Sequence, residues 1–544
     1  MLDNMKNIKI LITIAVASLT LTSCFKDLDL KPLDENTYTV DRAYSTEISY
    51  TQGLAKIYSV MAISGQDGAG STDITGIDPG NSQFLRSLWN LQVVTTDECK
   101  NAWPGDSWVP ELNNNTWSTI KNESIDGVYY RAMFIVALTN EYLKQTTDDK
   151  LNSRGHSALI PTVTKYRLEA RFMRALAYSV LIDTYGNPPF ITENDPIGSY
   201  MPSQIGRPKL FEYIEKELLD IESKLVAPRA NEWGRADQGA AWTLLARLYL
   251  NAKVYTGTAR YTDCITYCKK VIAGGYSLAP NYAHLFMADN NTSTAKNEII
   301  FPIVFDGNKI QTWGGMTYLV ASSRAGAEKS SVNNGTQQAW DGNRSTEKLV
   351  DKFTFTDPNA DYPVSPDKRA IFYGKGRTKT IENPLSTFTK QGWSVFKFTN
   401  VTSTGGKGAH NDFPDTDFPF FRLADVYLML AEAVVKGGTG ATMGDAIGYV
   451  NELRVRAYGN ATGNISSLDE NFILDERSRE LYWEGTRRSD LIRFGKYTGG
   501  TYLWPFKGGQ PQGVAIDARY NLFPIPVSDM ISNPNLVQND GYTN

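Results

Sequence analysis

Between residues 46 and 272 the chain repeats one pattern six times. Apolar side chains return every three or four positions over twelve to two dozen residues, and then the pattern stops. The stretches are Thr46 to Ile63, Ile120 to Leu143, Tyr166 to Tyr185, Leu210 to Leu225, Arg235 to Ala252 and Tyr261 to Ile272. This period puts the apolar residues on one side of a helix, so each stretch predicts an amphipathic helix with a face to bury. In the third, Ala170, Met173, Leu176, Ala177, Val180 and Leu181 form that face, and Gly186 with Pro188-Pro189 ends it. Small residues recur where helices would cross: Ala170, Ala175 and Ala177 in one, Ala236, Ala240, Ala241 and Ala246 in another. A chain written this way must stack its helices against each other.

From about residue 276 to 420 the texture changes to Gly, Asn, Ser, Thr and Pro with short apolar runs, such as Ile299 to Phe305. Helical patterning then resumes over Leu423 to Val435, Ala446 to Arg456 and Phe472 to Leu491. The predicted fold is mainly α: a scaffold of helical hairpins with a long loop-rich insertion containing a few short strands. Paired helices with alanines at close crossings resemble tetratricopeptide units, here degenerate because no regular 34-residue period is visible. Long irregular segments on rigid scaffolds commonly carry binding sites.

The formal charge of −4 over 544 residues, with no long basic block, argues against nucleic acid as a partner. Cysteines are few: Cys24, Cys99, Cys264 and Cys268. Cys264 and Cys268 share one helix face, and the three histidines are not spaced to complete a metal site with them, so both read as small buried thiols.

At the N-terminus, Lys6 and Lys9 precede a mostly apolar run from Ile10 to Leu21, followed by Thr22-Ser23-Cys24. That run of 12 residues is short of the ~20 a membrane-spanning helix needs, and it fits the apolar region of an export signal. The sequence Leu-Thr-Ser-Cys resembles the bacterial lipobox, which implies cleavage after residue 23, acylation of Cys24 and durable membrane attachment through several acyl chains. The acidic stretch Lys26-Asp27-Leu28-Asp29 is similar to the tag that takes Bacteroidetes lipoproteins to the outer face of the cell.

Several segments together resemble the SusD/RagB family of Bacteroidetes surface lipoproteins. They are EARFMRALAYSVLIDTYGNPPF from Glu169, WGRADQGAAWTLLARLY from Trp233, FRLADVYLMLAEAVV from Phe421, NELRVRAYG from Asn451, DERSRELYWEGTRRSDLIRFGK from Asp475 and NLFPIPVSDMISNPNLVQNDGY from Asn521. The resemblance spans most of the chain after residue 23. It implies an N-terminal part over about 25–230 and a RagB/SusD part over about 231–544, with the insertion at 276–420. It also implies an outer-membrane lipoprotein facing the exterior, which captures a nutrient, usually a glycan, and passes it to a TonB-dependent transporter of the SusC type. No catalysis and no cofactor are expected.

Sugar rings present apolar C–H faces rimmed by hydroxyls, so a glycan site needs exposed aromatics flanked by amide, carboxylate or guanidinium groups. Two segments have that composition: Asn101 to Trp108, with Trp103, Trp108 and nearby Asp97 and Glu98, and Trp313 to Tyr318, followed by Arg324. The candidate ligand-binding residues are thus Trp103, Trp108, Trp313, Tyr318, Asn101 and Arg324; Trp340 and Trp393 rank below them. Peptide or other non-glycan capture would call instead for a deep pocket of mixed side chains. A surface glycoside hydrolase would need two carboxylates facing each other across a cleft. The row Glu476, Glu480 and Glu484 lies among Arg477, Arg479, Arg487, Arg488 and Arg493, and is expected to be a structural ion-pair network with depressed carboxyl pKa values. Asp357, Asn359 and Asp361 mimic the start of a calcium loop, although Tyr362 takes the place of the turn glycine and no glutamate stands at the twelfth position, so calcium is a secondary expectation.

Overall fold

Helices form where the periodicity places them, and their ends follow the capping chemistry. In a computed structural model that describes residues 40–196, 198, 200–386 and 388–543, the principal helices before the insertion are α1 (Ile48–Ser59), α2 (Phe84–Trp89), α3 (Trp108–Asn114), α4 (Glu123–Gln145), α5 (Ile160–Thr184), α6 (Arg207–Ile221), α7 (Gln238–Leu250) and α8 (Tyr261–Ile272). The insertion holds α9 (Gly315–Ser322), and α10 (Leu423–Val435), α11 (Met443–Tyr458), α12 (Glu470–Leu481) and α13 (Arg487–Arg493) follow it. Cys24 and the leader before it lie outside the described residues. Helix α4 starts later than the apolar pattern because Asn122 Oδ1 accepts the backbone N–H groups of Ser124 and Ile125, which leaves Ile120 outside and 73% exposed. Likewise Asp237 caps α7 by accepting from Ala240 N–H at 3.0 Å, so that helix begins three residues past Arg235.

The stretch Phe472 to Leu491, expected as one helix, is two. Trp483 adopts φ +64° and Gly485 φ +76°, which ends α12 and re-aims the chain into α13. Two buried contacts hold Trp483 there: its N–H donates to Glu98 Oε2 at 3.0 Å, and its carbonyl accepts Trp89 Nε1–H at 2.7 Å.

The helices stack in sequence: α4 on α5, α5 on α6, α7 on α8, then α8 directly on α10, and α10 on α11 and α12. The scaffold therefore runs from α8 to α10 as though the 150 residues between them were absent. The alanines assigned to crossings are all buried. Cys264 and Cys268 are buried free thiols on α8, with Sγ atoms 4.0 Å apart, facing the Met429 carbonyl of α10.

Two antiparallel pairings fix the insertion. β2 (Ile299–Ile303) near its start pairs with β6 (Phe418–Arg422) at its end, with Pro302 opposite Pro419, and so closes its root. β1 (Cys99–Asn101) pairs with β3 (Asn343–Ser345) in the register Cys99 to Ser345, joining an early segment to the insertion. A third pair, β4 (Phe372–Tyr373) with β5 (Ser394–Val395), lies within it. Among the described residues, no helix is long and apolar enough to cross a membrane.

Candidate functional site: an aromatic arc with an unpaired arginine

The pairing of β1 with β3 brings together residues about 240 positions apart. Just beyond β1, Trp103 donates its indole N–H to the Trp340 carbonyl at 2.7 Å. Its ring lies against Gly342, where a Cβ would fall 2.7 Å from the indole, so this register admits only glycine. From Trp103 the rings step to Trp340 (centroids 6.5 Å, 51° between planes), to Trp313 (6.2 Å, 48°) and to Phe413 (4.8 Å, 51°). These tilts curve the aromatic surface. Trp313 is 37% exposed, Trp103 and Trp340 are partly buried, and Phe413 backs them from the interior.

Arg86 on α2 stands beside this arc. Its guanidinium lies 4.4 Å from the Tyr318 ring centroid and 5.6 Å from that of Trp103. The residue is 6% exposed, Nε has no hydrogen-bond partner, and no ion pair or side-chain hydrogen bond forms to its guanidinium among the described residues. Burial lowers its pKa from the usual arginine value, while Tyr318, Asp106 and Asp78 act the other way. Burial likewise raises the Asp106 carboxyl, against the pull of Arg86. A Cβ built on Gly80 would lie 3.0 Å from Arg86 Nη1, 3.2 Å from Asp78 Oδ1 and 3.2 Å from the Trp313 carbonyl, so donors and acceptors converge where Gly80 leaves space. Gln83, the cap of α2, ties this end together: it donates to the Met61 carbonyl and accepts from Gly315 N–H, which sets α2 against the start of α9.

Of the six residues proposed from sequence, two belong to the ring surface, Trp103 and Trp313. The other four are buried and present nothing to solvent in this conformation. Trp108 opens α3 instead of lying in a loop, and it packs edge-on under Trp103 at 6.4 Å. Tyr318 sits on α9, which is buried on all sides, and its hydroxyl donates to Asn90 Oδ1 at 2.7 Å. Asn101 spans β1 and β3, donating to Asn343 Oδ1 at 2.8 Å. Arg324 holds the loop before Trp340 by donating to the carbonyls of Val332, Thr336 and Gln338 at 2.8–3.1 Å. All four support the arc. Asp97 and Glu98 are buried as well: Arg487 grips Asp97 with two 2.7 Å contacts, and Glu98 accepts from Ser478. Trp393 is buried, whereas Trp340, ranked low, completes the arc. Sequence reasoning missed Arg86, Asp78 and Asp106.

The carboxylate row is an ion-pair network, with partners drawn from elsewhere than expected. Glu480 meets Arg369, Arg422 and Arg456, and Glu476 meets Arg369, Arg454 and Arg479; only Arg479 comes from the block itself. Glu484 has left the helix and pairs with Arg422 and Lys397, both at 2.6 Å. Burial alone would raise the Glu476 carboxyl, but Arg369, Arg479 and Arg454 outweigh it and bring it down to about 2. A group held ionised in this way is unsuited to general-acid work. In the calcium-like turn, Lys375 Nζ lies 2.7 Å from Asp361, and Asp357 accepts from Asn359 N–H.

With this geometry in place, comparison with known proteins is informative. A family described as "SusD family" matches residues 360–542. The chain is 37% identical to the starch-binding protein SusD of Bacteroides thetaiotaomicron, over 97% of each chain. It is also 23% identical to a SusD-like protein of Bacteroides ovatus, over 96% of each. Among solved structures, a SusD superfamily protein from Bacteroides vulgatus superposes with a TM-score of 0.67 at 18% identity, covering 91% of this chain and 99% of that one. Surface glycan-binding protein A of Bacteroides thetaiotaomicron, solved in complex with laminarihexaose, superposes at 0.64 and 17% identity, with the same coverage. These two likenesses concern the fold.

Proposed function

We propose a function for this chain as a member of the SusD family, to which it belongs: non-catalytic capture of a glycan, of the α-glucan class, on the Trp103–Trp340–Trp313 arc. One observation carries the reading. Arg86 is a buried cation whose Nε is unbonded and which forms no ion pair among the described residues, set against a curved aromatic surface. Leaving one buried donor such as Nε unsatisfied costs about 1–3 kcal/mol, a cost that a bound ligand's acceptor would remove. Ring faces of Trp313 and Trp340 take the apolar C–H face of a sugar, Arg86 donates to its hydroxyls, and Asp78 and Asp106 accept from them. A curved arc suits a chain that itself curves, as α-linked glucans do. Similarity to a starch-binding protein over nearly the whole chain supports this ligand class.

In this reading Cys24 carries the lipid anchor, the protein faces outward from the outer membrane, and it hands its ligand to a SusC-type TonB-dependent transporter. Tethering holds ligand near the transporter mouth at high effective concentration. The test is affinity electrophoresis of the protein in gels containing starch, laminarin or other polysaccharides, beside Trp103→Ala and Trp313→Ala. Retardation by starch, abolished by either change and without release of sugar products, is the expected result. Retardation by no glycan would overturn it and turn attention to peptides.

A further inference from the structure

The segment that backs Trp313 also carries a second exposed indole. Phe413 packs tilted against Trp313, and four residues on, Asp417 Oδ2 accepts the indole N–H of Trp233 at 2.6 Å while Oδ1 accepts Phe305 N–H at 2.8 Å. Four residues reach at most about 14 Å of backbone, so one short segment supports both tryptophans. Trp233 is fixed by its edge and 37% exposed, as Trp313 is.

Trp233 stands on an open groove of about 410 Å³ walled by Tyr58, Met61, Phe301, Val304 and Ile310. Two walls of that groove connect to residues that support the arc. Ile310 precedes Trp313 by three residues, at most about 11 Å of chain. Met61 gives its carbonyl to Gln83, the same side chain that accepts Gly315 N–H at the base of the arc. Beside the indole, Arg235 is paired with Glu169 at 2.5 Å and with the exposed carboxylate of Glu232 at 3.4 Å. With Arg235 engaged by two carboxylates the rim offers no spare cation to an anionic ligand, and an apolar wall beside a partly exposed indole matches a neutral sugar ring.

We propose that this groove is a second glycan subsite, in which Trp233 stacks on a ring of the same neutral glucan chain that lies on the Trp103–Trp340–Trp313 arc. The inference rests on the arc binding an α-glucan. It predicts that affinity depends on chain length, because a short oligosaccharide reaches the arc alone and a long one engages both.

Calorimetric titration with maltotriose and with soluble amylose tests it, using the protein, Trp233→Ala, Trp313→Ala and Ala55→Arg. Ala55 is an exposed helix residue on the groove, so its replacement fills the space without touching the Trp233–Asp417 bond. Both groove variants are expected to weaken amylose binding by about fivefold to tenfold and to leave maltotriose within about twofold, whereas Trp313→Ala weakens both. If Ala55→Arg and Trp233→Ala bind amylose as the unaltered protein does while Trp313→Ala does not, the subsite is refuted and the arc stands. If the unaltered protein binds neither glucan, the arc reading falls and the subsite with it.

Discussion

Arg422 and Arg86 are both buried arginines, and they differ in what surrounds them. Arg422, at the end of β6, meets Glu298 at 2.8 Å and Glu480 and Glu484 at 2.6 Å, and through these carboxylates it joins Arg369, Arg456 and Lys397. Every carboxylate there is answered from another element, so the network clamps the insertion onto the C-terminal helices. Arg86 meets aromatic faces and, among the described residues, no side-chain acceptor bonds its guanidinium. A third group, Arg324 and Arg131, donates to backbone carbonyls and fixes loops. Ion pairs and carbonyl contacts mark the scaffold arginines, even where a single nitrogen such as Arg456 Nε or Arg324 Nε stays unbonded, and a guanidinium with neither marks the place where a ligand completes the set.

Acidification should give the largest effect on this contrast. Burial would raise the Glu476 and Asp425 carboxyls, but neighbouring arginines prevail and hold both at about 2, below the ordinary 4.5 and 3.8. A carboxyl depressed in the folded state gives stability that is complete above its unfolded pKa and is lost as pH falls toward the folded one. Glu98 and Asp417, raised to about 7 by burial, act in the opposite sense between their unfolded pKa and 7, so the effect of the network is read below about pH 4. Thermal unfolding followed by circular dichroism should show a steep fall in Tm there; a Tm at pH 2.5 equal to that at pH 6 would mean the pairs contribute nothing.

Next in size, Arg422→Met leaves Glu298, Glu480 and Glu484 short of a partner and should cost about 3–5 kcal/mol in urea unfolding. A loss below about 1 kcal/mol would remove the network from the account. The tryptophans sharpen the same division. Trp108, fully buried, should lose about 3–5 kcal/mol of stability on change to Ala. Trp313→Ala should leave Tm nearly unchanged and weaken glucan binding about tenfold, because a ring of this size buries roughly 1.5–3 kcal/mol of apolar surface against ligand. Equal stability losses in the two variants would make Trp313 a packing residue.

Much of this division could be read in the chain itself. The nine periodic stretches gave α1, α4 to α8 and α10 to α13, because a buried face must repeat every three or four residues; the short helices α2, α3 and α9 were not read, and errors gathered at caps such as Asn122 and at Trp483, whose left-handed backbone depends on distant contacts with Glu98 and Trp89. The buried nature of α9 was also written locally: Met316, Tyr318, Leu319, Val320 and Ala321 leave no polar face. The arc was half legible. Trp103 and Trp313 lie in segments of the right composition, but Trp340 joins them only through a three-residue pairing of polar strands, Cys99–Asn101 with Asn343–Ser345, which carries no alternation to detect. Arg86 is invisible as a site residue in sequence, since its distinction is the absence of a partner.

The most direct test is therefore Arg86→Met, with glucan affinity and Tm measured on the same sample. The account predicts that affinity falls about tenfold or more while Tm stays level or rises, since an unpaired buried charge has been replaced by an apolar chain of similar length. Unchanged affinity, or a loss of affinity matched by a loss of stability, would contradict it and return Arg86 to the scaffold.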